Sequence, residues 1–311
     1  FMEFNPVLLS RFNGCQTLRR TKTDAIDAQS IARYLTTAEY KPHPASFYHI
    51  DSLKSLTRFR DSLVRQRSQQ LVSLTNILDK LFPEFKPFFK NRFSATALYI
   101  LAHYPSPEHI ANMNAKSYDI LRRKSRGKFR MGDYVRLKEL ARNTVGTTSD
   151  FLLLELQAVL DIYSQLDSKV DEIQSEITES IIALDPPLLS IVGIGPLSAA
   201  VIYSEFGDFS RFLNPAQMLS FAGLEPGYFQ SGTSEHCGRM VKHGSSFLRY
   251  AIMNCCMPLI NHNLVFAEYY AKKRAEGKPY RVALSHVAKK LVRIIFALQS
   301  QNVKFDPLKL I

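Results

Sequence analysis

Apolar residues recur at three- and four-residue steps over two long segments of the chain. The first segment, about 51–82, carries Leu53, Leu56, Leu63, Leu74, Ile77 and Leu81 on one helical face. The second, about 150–184, carries a stripe from Val159 to Leu184, and Ser149 with Asp150 provides a helix cap. Two such helices can pack antiparallel, or each can pair with a second protomer. The pattern predicts a helical coiled-coil stalk over 51–184, with an insertion at about 83–148.

Shorter patterns flank this stalk. A helix is predicted over 24–37, with Thr23 as its N-cap, and Met2–Phe4 before a proline is typical of the end of a strand. Two prolines after Asp185 end the second stalk helix. A C-terminal domain of short helices follows over 185–311, and its last helix is expected at about 282–299. The predicted fold is therefore mainly α (α+β), and residues 1–50 form the first of three predicted domains.

Composition narrows the class of protein. With 46% hydrophobic residues among 311, the chain can bury a core, and no apolar run is long enough to span a membrane. A formal net charge of +12 indicates a polyanionic partner. The four cysteines show no Cys-x-x-Cys spacing, which favours free thiols in a reducing, cytoplasmic compartment.

The insertion is strongly basic. Between residues 116 and 142 there are ten Lys or Arg against three acidic residues. The densest run holds Arg122, Arg123, Lys124, Arg126, Lys128 and Arg130. A solvated loop is the usual fate of such a run. Phe129 and Tyr134 among the cations favour nucleic-acid contact instead, with bases stacking while cations hold phosphates.

Two carboxylates open the first predicted helix. Asp24 and Asp27 are three residues apart, so both lie on one face about 5–6 Å apart. Mg²⁺ would relieve their repulsion and keep positions for water and phosphate oxygens. Spacing alone favours the ordinary interpretation, since Asp is common in the first turn of a helix. Lys22 just before them adds a cation for a phosphate.

A second candidate feature is Gly193-Ile194-Gly195-Pro196. An apolar residue, two glycines and a proline at the start of a helix are typical of a helix-hairpin-helix turn. Glycines at 193 and 195 would let backbone N–H groups face a nucleic-acid phosphate. The alternative is a tight turn that only packs.

A third candidate feature is Ser231, followed by a glycine and predicted to lie in a loop. A serine that attacks a phosphodiester needs a base and fixed cations for the developing charge. Arg239, Lys242 and Arg249 follow closely and could supply the cations. The sequence offers no obvious base, and most Ser-Gly pairs in loops are only turns.

Together these motifs resemble one family along essentially the whole chain. It is the bacterial insertion-sequence transposases that act as bridge-RNA-guided recombinases and join a RuvC-like, RNase H-type acidic domain to a C-terminal serine domain. The matching motifs, in order, are Asn5-Pro6, Lys22 to Ala28, Gly193 to Gly195, Gly223 to Pro226, Ser231-Gly232 and Gly238 to Arg249.

The resemblance implies a mechanism and partners. Ser231 matches the nucleophile that links covalently to DNA, and Asp24 and Asp27 match the last two of four Mg²⁺-binding carboxylates. The site would be assembled between subunits of a homo-oligomer, a dimer or tetramer, acting on DNA with a guide RNA. The other two carboxylates lie upstream of Asn-Pro in the family, which suggests an N-terminal truncation. Two alternatives stay open: an inactive nucleic-acid-binding remnant, and a metal-dependent junction-resolving nuclease.

Overall fold

The computed structural model describes residues 6–16, 23–37, 47–91, 93–231 and 234–307; at 6, 7, 47–49, 228–231, 234–237 and 239 only the backbone is described. Within these ranges the chain forms α-helices, short 3-10 turns and one two-stranded antiparallel sheet. The mainly helical prediction is confirmed. No helix in the described ranges has both the length and the hydropathy of a membrane span.

Two helices begin the described chain. Helix α1 spans Pro6–Gln16 and α2 spans Asp24–Thr37. The bounds of α2 agree with the prediction, and Ile26 N–H donates to Thr23 Oγ1 at 3.3 Å, so the predicted cap is confirmed. Helix α1 was not predicted; it packs on α2 through an edge-on contact of the Phe12 and Tyr34 rings, 5.5 Å apart. The strand predicted at Met2–Phe4 lies outside the described residues.

The stalk consists of two long helices that pack antiparallel, as predicted. Helix α3 spans Phe47–Leu81 and a second helix, α9, spans Asp150–Leu184. Arg60 donates to Gln174 at 2.6 Å and Arg67 to Asp167 at 2.5 Å, so residue numbers rise along one helix as they fall along the other. Leu152 N–H donates to Ser149 Oγ at 3.3 Å, which confirms the predicted cap of α9.

The insertion forms a helical subdomain at the tip of the stalk. Its helices are α4 (Phe85–Phe88), α5 (Ala95–His103), α6 (Pro107–Ala111), α7 (Ala115–Lys124) and α8 (Met131–Arg142). Ile100, Leu121 and Leu137 are buried there, together with Leu78 and Leu156 from the adjoining ends of the stalk helices. The subdomain and the stalk tip therefore share one hydrophobic core.

Two aromatic residues of the basic run have a different role from the one expected. Phe129 is only 6% exposed, and its ring lies parallel to that of Phe89 with centroids 6.4 Å apart. Tyr134 is also buried, and its hydroxyl donates to the Asn114 carbonyl at 2.8 Å. Both rings belong to the core, so the prediction that they stack on bases is wrong. Burial of a large ring stabilises the fold more than exposure between cations would.

The C-terminal part begins where α9 ends. Asp185 adopts a left-handed conformation (φ 38°) and the two prolines follow, as predicted. A 3-10 turn over Pro187–Ser190 precedes α10 (Pro196–Phe206) and α11 (Pro215–Phe221). Strands β1 (Pro226–Ser231) and β2 (Ser234–Met240) form a hairpin. Helices α12 (Ser246–His262), α13 (Leu264–Ala275) and α14 (Tyr280–Gln301) complete the part.

The core of this part extends into the base of the stalk. The apolar face predicted for the last helix is buried, including Val287, Leu291 and Ile295 of α14. Leu53 of α3 and Ile181 of α9 belong to the same cluster. The stalk base is therefore packed against the C-terminal helices.

Candidate active site and nucleic-acid interface

Ser231 is the last residue of β1, at the turn of the hairpin. Its backbone pairs with that of Ser234, so two residues, Gly232 and Thr233, connect the strands. The sequence predicted a loop here, and the structure has the end of a strand instead. Ser231 thus lies at the far end of the hairpin from its attachment.

The hairpin is attached at its base by backbone contacts. Val241 N–H donates to the Glu225 carbonyl at 2.8 Å, and Ser245 N–H donates to the Phe221 carbonyl at 2.9 Å. Gly244 lies so close to Phe221 that a Cβ would be 2.1 Å from the carbonyl oxygen. Only glycine allows this approach. The base of the hairpin is therefore fixed between α11 and α12.

The predicted cations near the hairpin have different surroundings. Lys242 is exposed just after β2. Arg249 is half-buried on α12, where its guanidinium lies 3.5 Å from the Ala222 carbonyl and against the backbone of Gly223 (φ 64°). Arg239 lies on β2, where only its backbone is described. The structure brings Lys242 and Arg249 to the base of the hairpin.

The two glycines of the predicted helix-hairpin-helix turn differ in the space around them. Gly193 has φ 107°, and a Cβ there would be 2.9 Å from the Cα of Leu259 on α12. Gly195 has open space around it and is the N-cap of α10, with Pro196 at the first helical position. Gly193 therefore allows close packing, whereas Gly195 leaves the N-terminal end of α10 accessible. The element before the turn is a 3-10 turn.

Asp24 and Asp27 lie in the first turn of α2, as predicted. Asp24 is exposed and Asp27 is half-buried. Their carboxylates can supply two oxygen ligands from one helix face, which fits part of a Mg²⁺ coordination shell. Among the described residues no group of three or more His, Cys, Asp or Glu could hold a metal ion. Lys22 lies outside the described residues.

The cations of the basic run are all exposed. Arg122, Arg123, Lys124, Arg126, Lys128 and Arg130 surround the end of α7 and the connection to α8. This connection turns through left-handed backbone at Arg126 (φ 53°) and Gly127 (φ 78°). The ammonium group of Lys124 lies 4.6 Å from the Tyr99 ring centroid. The surface therefore presents concentrated positive charge on a folded support.

An ion pair that the sequence did not predict joins the stalk to this part. Glu205 of α10 is 1% exposed and accepts two hydrogen bonds from Arg58 of α3, at 2.7 and 3.0 Å. Ser245, the N-cap of α12, donates to the same carboxylate at 2.7 Å. The hydrogen bond to Glu205 raises the pKa of Arg58 above its usual value. The one available sequence signal was an acidic residue within the apolar helix α10.

Comparisons with known proteins agree with these features. A family model for the transposase IS116/IS110/IS902 family matches residues 185–271. A second transposase model, of the DEDD type of IS110, matches residues 1–83. The two matches lie on the segments that carry Ser231 and the two aspartates.

Individual relatives extend these matches. The 43.6 kDa protein of insertion element IS110 from Streptomyces coelicolor is 31% identical over 123 residues, which are 40% of this chain and 30% of that protein. The 44.8 kDa protein of IS116 from Streptomyces clavuligerus is 25% identical over 295 residues, 92% of this chain and 73% of that protein. A pilin gene-inverting protein from Moraxella bovis is 29% identical over 121 residues, 38% of each chain.

The two family models together cover more than half of the chain, and the IS116 relative aligns along nearly all of it. Along nearly its whole length, the chain is similar to transposases of the IS116/IS110/IS902 family.

Proposed function

We propose that this transposase exchanges DNA strands through a covalent link between Ser231 and DNA. The serine Oγ would attack a backbone phosphorus, forming an Oγ–P bond as the P–O3′ bond breaks. The serine proton passes to a base, and the released 3′ oxygen takes up a proton. Attack by the 3′ hydroxyl of a second strand then reverses these steps, which restores the serine and joins the new strand without ATP.

The observation that carries this proposal is the position of Ser231 in the hairpin. It is next to the two-residue connection, while the base of the hairpin is fixed by Glu225–Val241 and Phe221–Ser245 backbone hydrogen bonds. A nucleophile at the end of an attached hairpin can approach a duplex without displacing the core. Lys242 and Arg249 lie at the base, the opposite end of the hairpin from Ser231, so they would contact backbone phosphates other than the one attacked.

Asp24 and Asp27 would bind Mg²⁺ and belong to a neighbouring subunit of a homo-oligomer. When bound, the metal ion would stabilise negative charge on phosphate oxygens. Two carboxylates on one helix face are a partial ligand set, which is consistent with further ligands from elsewhere. The exposed aspartate at position 24 is accessible to such a partner.

The exposed cations of the insertion are proposed to hold a guide RNA, and the N-terminal end of α10 at Gly195 to contact DNA backbone. Six cations on one surface favour a polyanion without requiring a particular sequence. The pilin gene-inverting relative supports a DNA rearrangement as the reaction class.

Trapping of a protein–DNA adduct tests the nucleophile. Purified protein is incubated with Mg²⁺, cognate DNA and guide RNA, and adducts are detected by denaturing gel electrophoresis. We expect an adduct with the wild type and with Ser234→Ala, and none with Ser231→Ala. Ser234 is a matched control because it pairs with Ser231 across the hairpin.

Two outcomes would favour the other candidate functions. Cutting that requires metal and survives Ser231→Ala would favour the junction-resolving nuclease. Nucleic-acid binding by the wild type with no adduct and no cutting would favour the non-catalytic remnant.

A further inference from the structure

A cavity of about 230 Å³ lies where the stalk base meets the C-terminal helices. Its walls come from three helices and include Arg58 and Arg60 of α3, Glu205 of α10, and Phe247, Tyr250 and Asn254 of α12. Pockets for drug-sized ligands are typically about 300–1,000 Å³. This cavity is therefore sized for a single planar ring system with polar edges.

The charges around the cavity leave one arginine with unused hydrogen-bonding capacity. Glu205 is paired with Arg58, and Asp61 is paired with Arg65 at 2.8 Å. Arg60 instead donates to the neutral amide of Gln174, and its Nε is buried with no hydrogen-bond partner in the described part of the chain. A buried donor without a partner is costly. Arg60 itself lines the cavity, so an acceptor atom of a ligand there could bind its guanidinium.

Aromatic side chains define the other side of the cavity. The Phe247 ring has the guanidinium carbons of Arg58 and Arg65 at 5.0 and 5.6 Å from its centroid. Tyr250, three residues later on α12, is 68% exposed. Because residues three apart share a helix face, Tyr250 lies beside Phe247 at the rim. Its exposed ring is available for stacking.

These features fit the chemistry of an unpaired nucleobase. A base has a flat apolar face for Tyr250, ring and exocyclic acceptor atoms for the guanidinium of Arg60, and a polar edge for the amide of Asn254. The α10 wall begins at Leu197, two residues after the exposed Gly195. A phosphate at the start of α10 would therefore adjoin a base in the cavity.

We propose that this cavity binds one unpaired base of a nucleic-acid strand held out of its stack. The inference rests on the proposed function only in requiring that the protein handles nucleic-acid strands; it does not depend on Ser231 or on a metal. Extruding a base costs a few kcal/mol in a duplex and least in a strand that is already single, so the bound strand is expected to be unpaired there. The source of the base is either DNA or RNA.

Binding measurements with protein variants, and with strands that carry or lack bases, test the proposal. Binding of the full chain to fluorescent oligodeoxythymidine, to oligouridine and to an abasic deoxyribose-phosphate strand of equal length is measured by anisotropy. Tyr250→Ala is expected to weaken binding to a base-bearing strand about 10-fold, because the base loses the aromatic ring on which it stacks. It is expected to leave the abasic strand unaffected.

Two control variants separate stacking from folding. Tyr250→Phe keeps the ring and should bind as the wild type does. Tyr280→Ala removes another exposed tyrosine, at the start of α14, which does not line the cavity, and it should also bind normally. A loss with oligodeoxythymidine alone identifies DNA as the source, and a loss with oligouridine alone identifies RNA.

Equal weakening of the intact and abasic strands by Tyr250→Ala would overturn the proposal, as would no weakening of either base-bearing strand. Both results leave the adduct assay for Ser231 unaffected. Absence of the adduct would in turn contradict the proposed function without changing the outcome at Tyr250.

Discussion

Arg58 and Glu205, 147 positions apart in the sequence, form a two-point ion pair between the stalk and α10, with N–O distances of 2.7 and 3.0 Å. The carboxylate is 1% exposed and also accepts from Ser245 at the start of α12. The segment that returns from the β1–β2 hairpin ends at this serine. The orientation of the stalk is therefore tied to the base of the hairpin through one carboxylate.

Loss of Arg58 should destabilise the protein. In Arg58→Met the buried carboxylate of Glu205 keeps only the hydrogen bond from Ser245. Removing one partner of a buried ion pair costs about 3–5 kcal/mol in the free energy of unfolding, and we expect the lower end because Arg58 is itself 44% exposed. Urea unfolding followed by circular dichroism measures the change.

Arg65→Met is the matched control on the same helix. Arg65 pairs with Asp61 in solvent, and such pairs contribute about 0–1 kcal/mol. Similar unfolding midpoints for the two variants would contradict the importance of the Arg58–Glu205 pair.

Replacing Gly193 or Gly195, the two glycines before α10, by alanine should change the stability of the protein to different extents. Gly193→Ala places a Cβ against α12 and forces a non-glycine residue to φ 107°, a strain of about 1–3 kcal/mol. Gly195→Ala has open space and an ordinary extended backbone (φ −78°). Thermal unfolding should show a clearly lower midpoint for Gly193→Ala. A midpoint for Gly195→Ala as low as that of Gly193→Ala would show that both glycines are structural.

The long helices could be predicted from the sequence because their burial is periodic. The stripes of α3, α9 and α14 repeat over many turns, and such a periodicity is typical of a helix with one buried face. Helix α1 was missed because Asn13 and Gly14 weaken its helical pattern and its contact to Tyr34 is not local.

The helices of the insertion were not predicted because its charged residues were given more weight than its helix-capping residues. Ser94, Ser106 and Asn114 each cap a helix there, and this type of residue before a helical stretch can be recognised in the sequence. Phe129 and Tyr134 have charged neighbours in sequence but apolar neighbours in space. The sequence motifs identified Ser231, Asp24 and Asp27 as candidate site residues. The Arg58–Glu205 pair depends on tertiary packing and could not be predicted.

Neutralising the basic run should weaken nucleic-acid binding without unfolding the protein. Replacing Arg122, Arg123, Arg126 and Lys128 by Gln removes four exposed cations. The slope of log K against log salt concentration should fall by roughly 3, since each phosphate contact contributes about 0.7–0.9. Binding titrations at several salt concentrations measure it. An unchanged slope would mean that this surface faces solvent only.

A composite active site should allow two inactive variants to restore each other. Ser231→Ala lacks the proposed nucleophile, and Asp24→Asn with Asp27→Asn lacks the proposed metal ligands. If the two groups act from different subunits, mixing the variants should give about a quarter or less of wild-type strand exchange, while each alone gives none. If both groups act within one subunit, the mixture stays inactive.

The buried thiol of Cys256 should make stability fall at alkaline pH. Burial raises its pKa to about 12, and the Sγ atom lies 3.3 Å from the Ile252 carbonyl within α12. An unfolded cysteine releases its proton near pH 8.5–9, so the unfolded state loses a proton that the folded state keeps. The contribution of this thiol to stability is therefore fully present below about pH 8.5 and is lost progressively as the pH rises toward 12.

Alkylation mapped by mass spectrometry tests the burial of this thiol. It should modify the exposed Cys15 in the native protein at pH 8 and modify Cys256 only after unfolding. Equal native rates at the two cysteines would show that α12 opens readily, in conflict with its central place in the core.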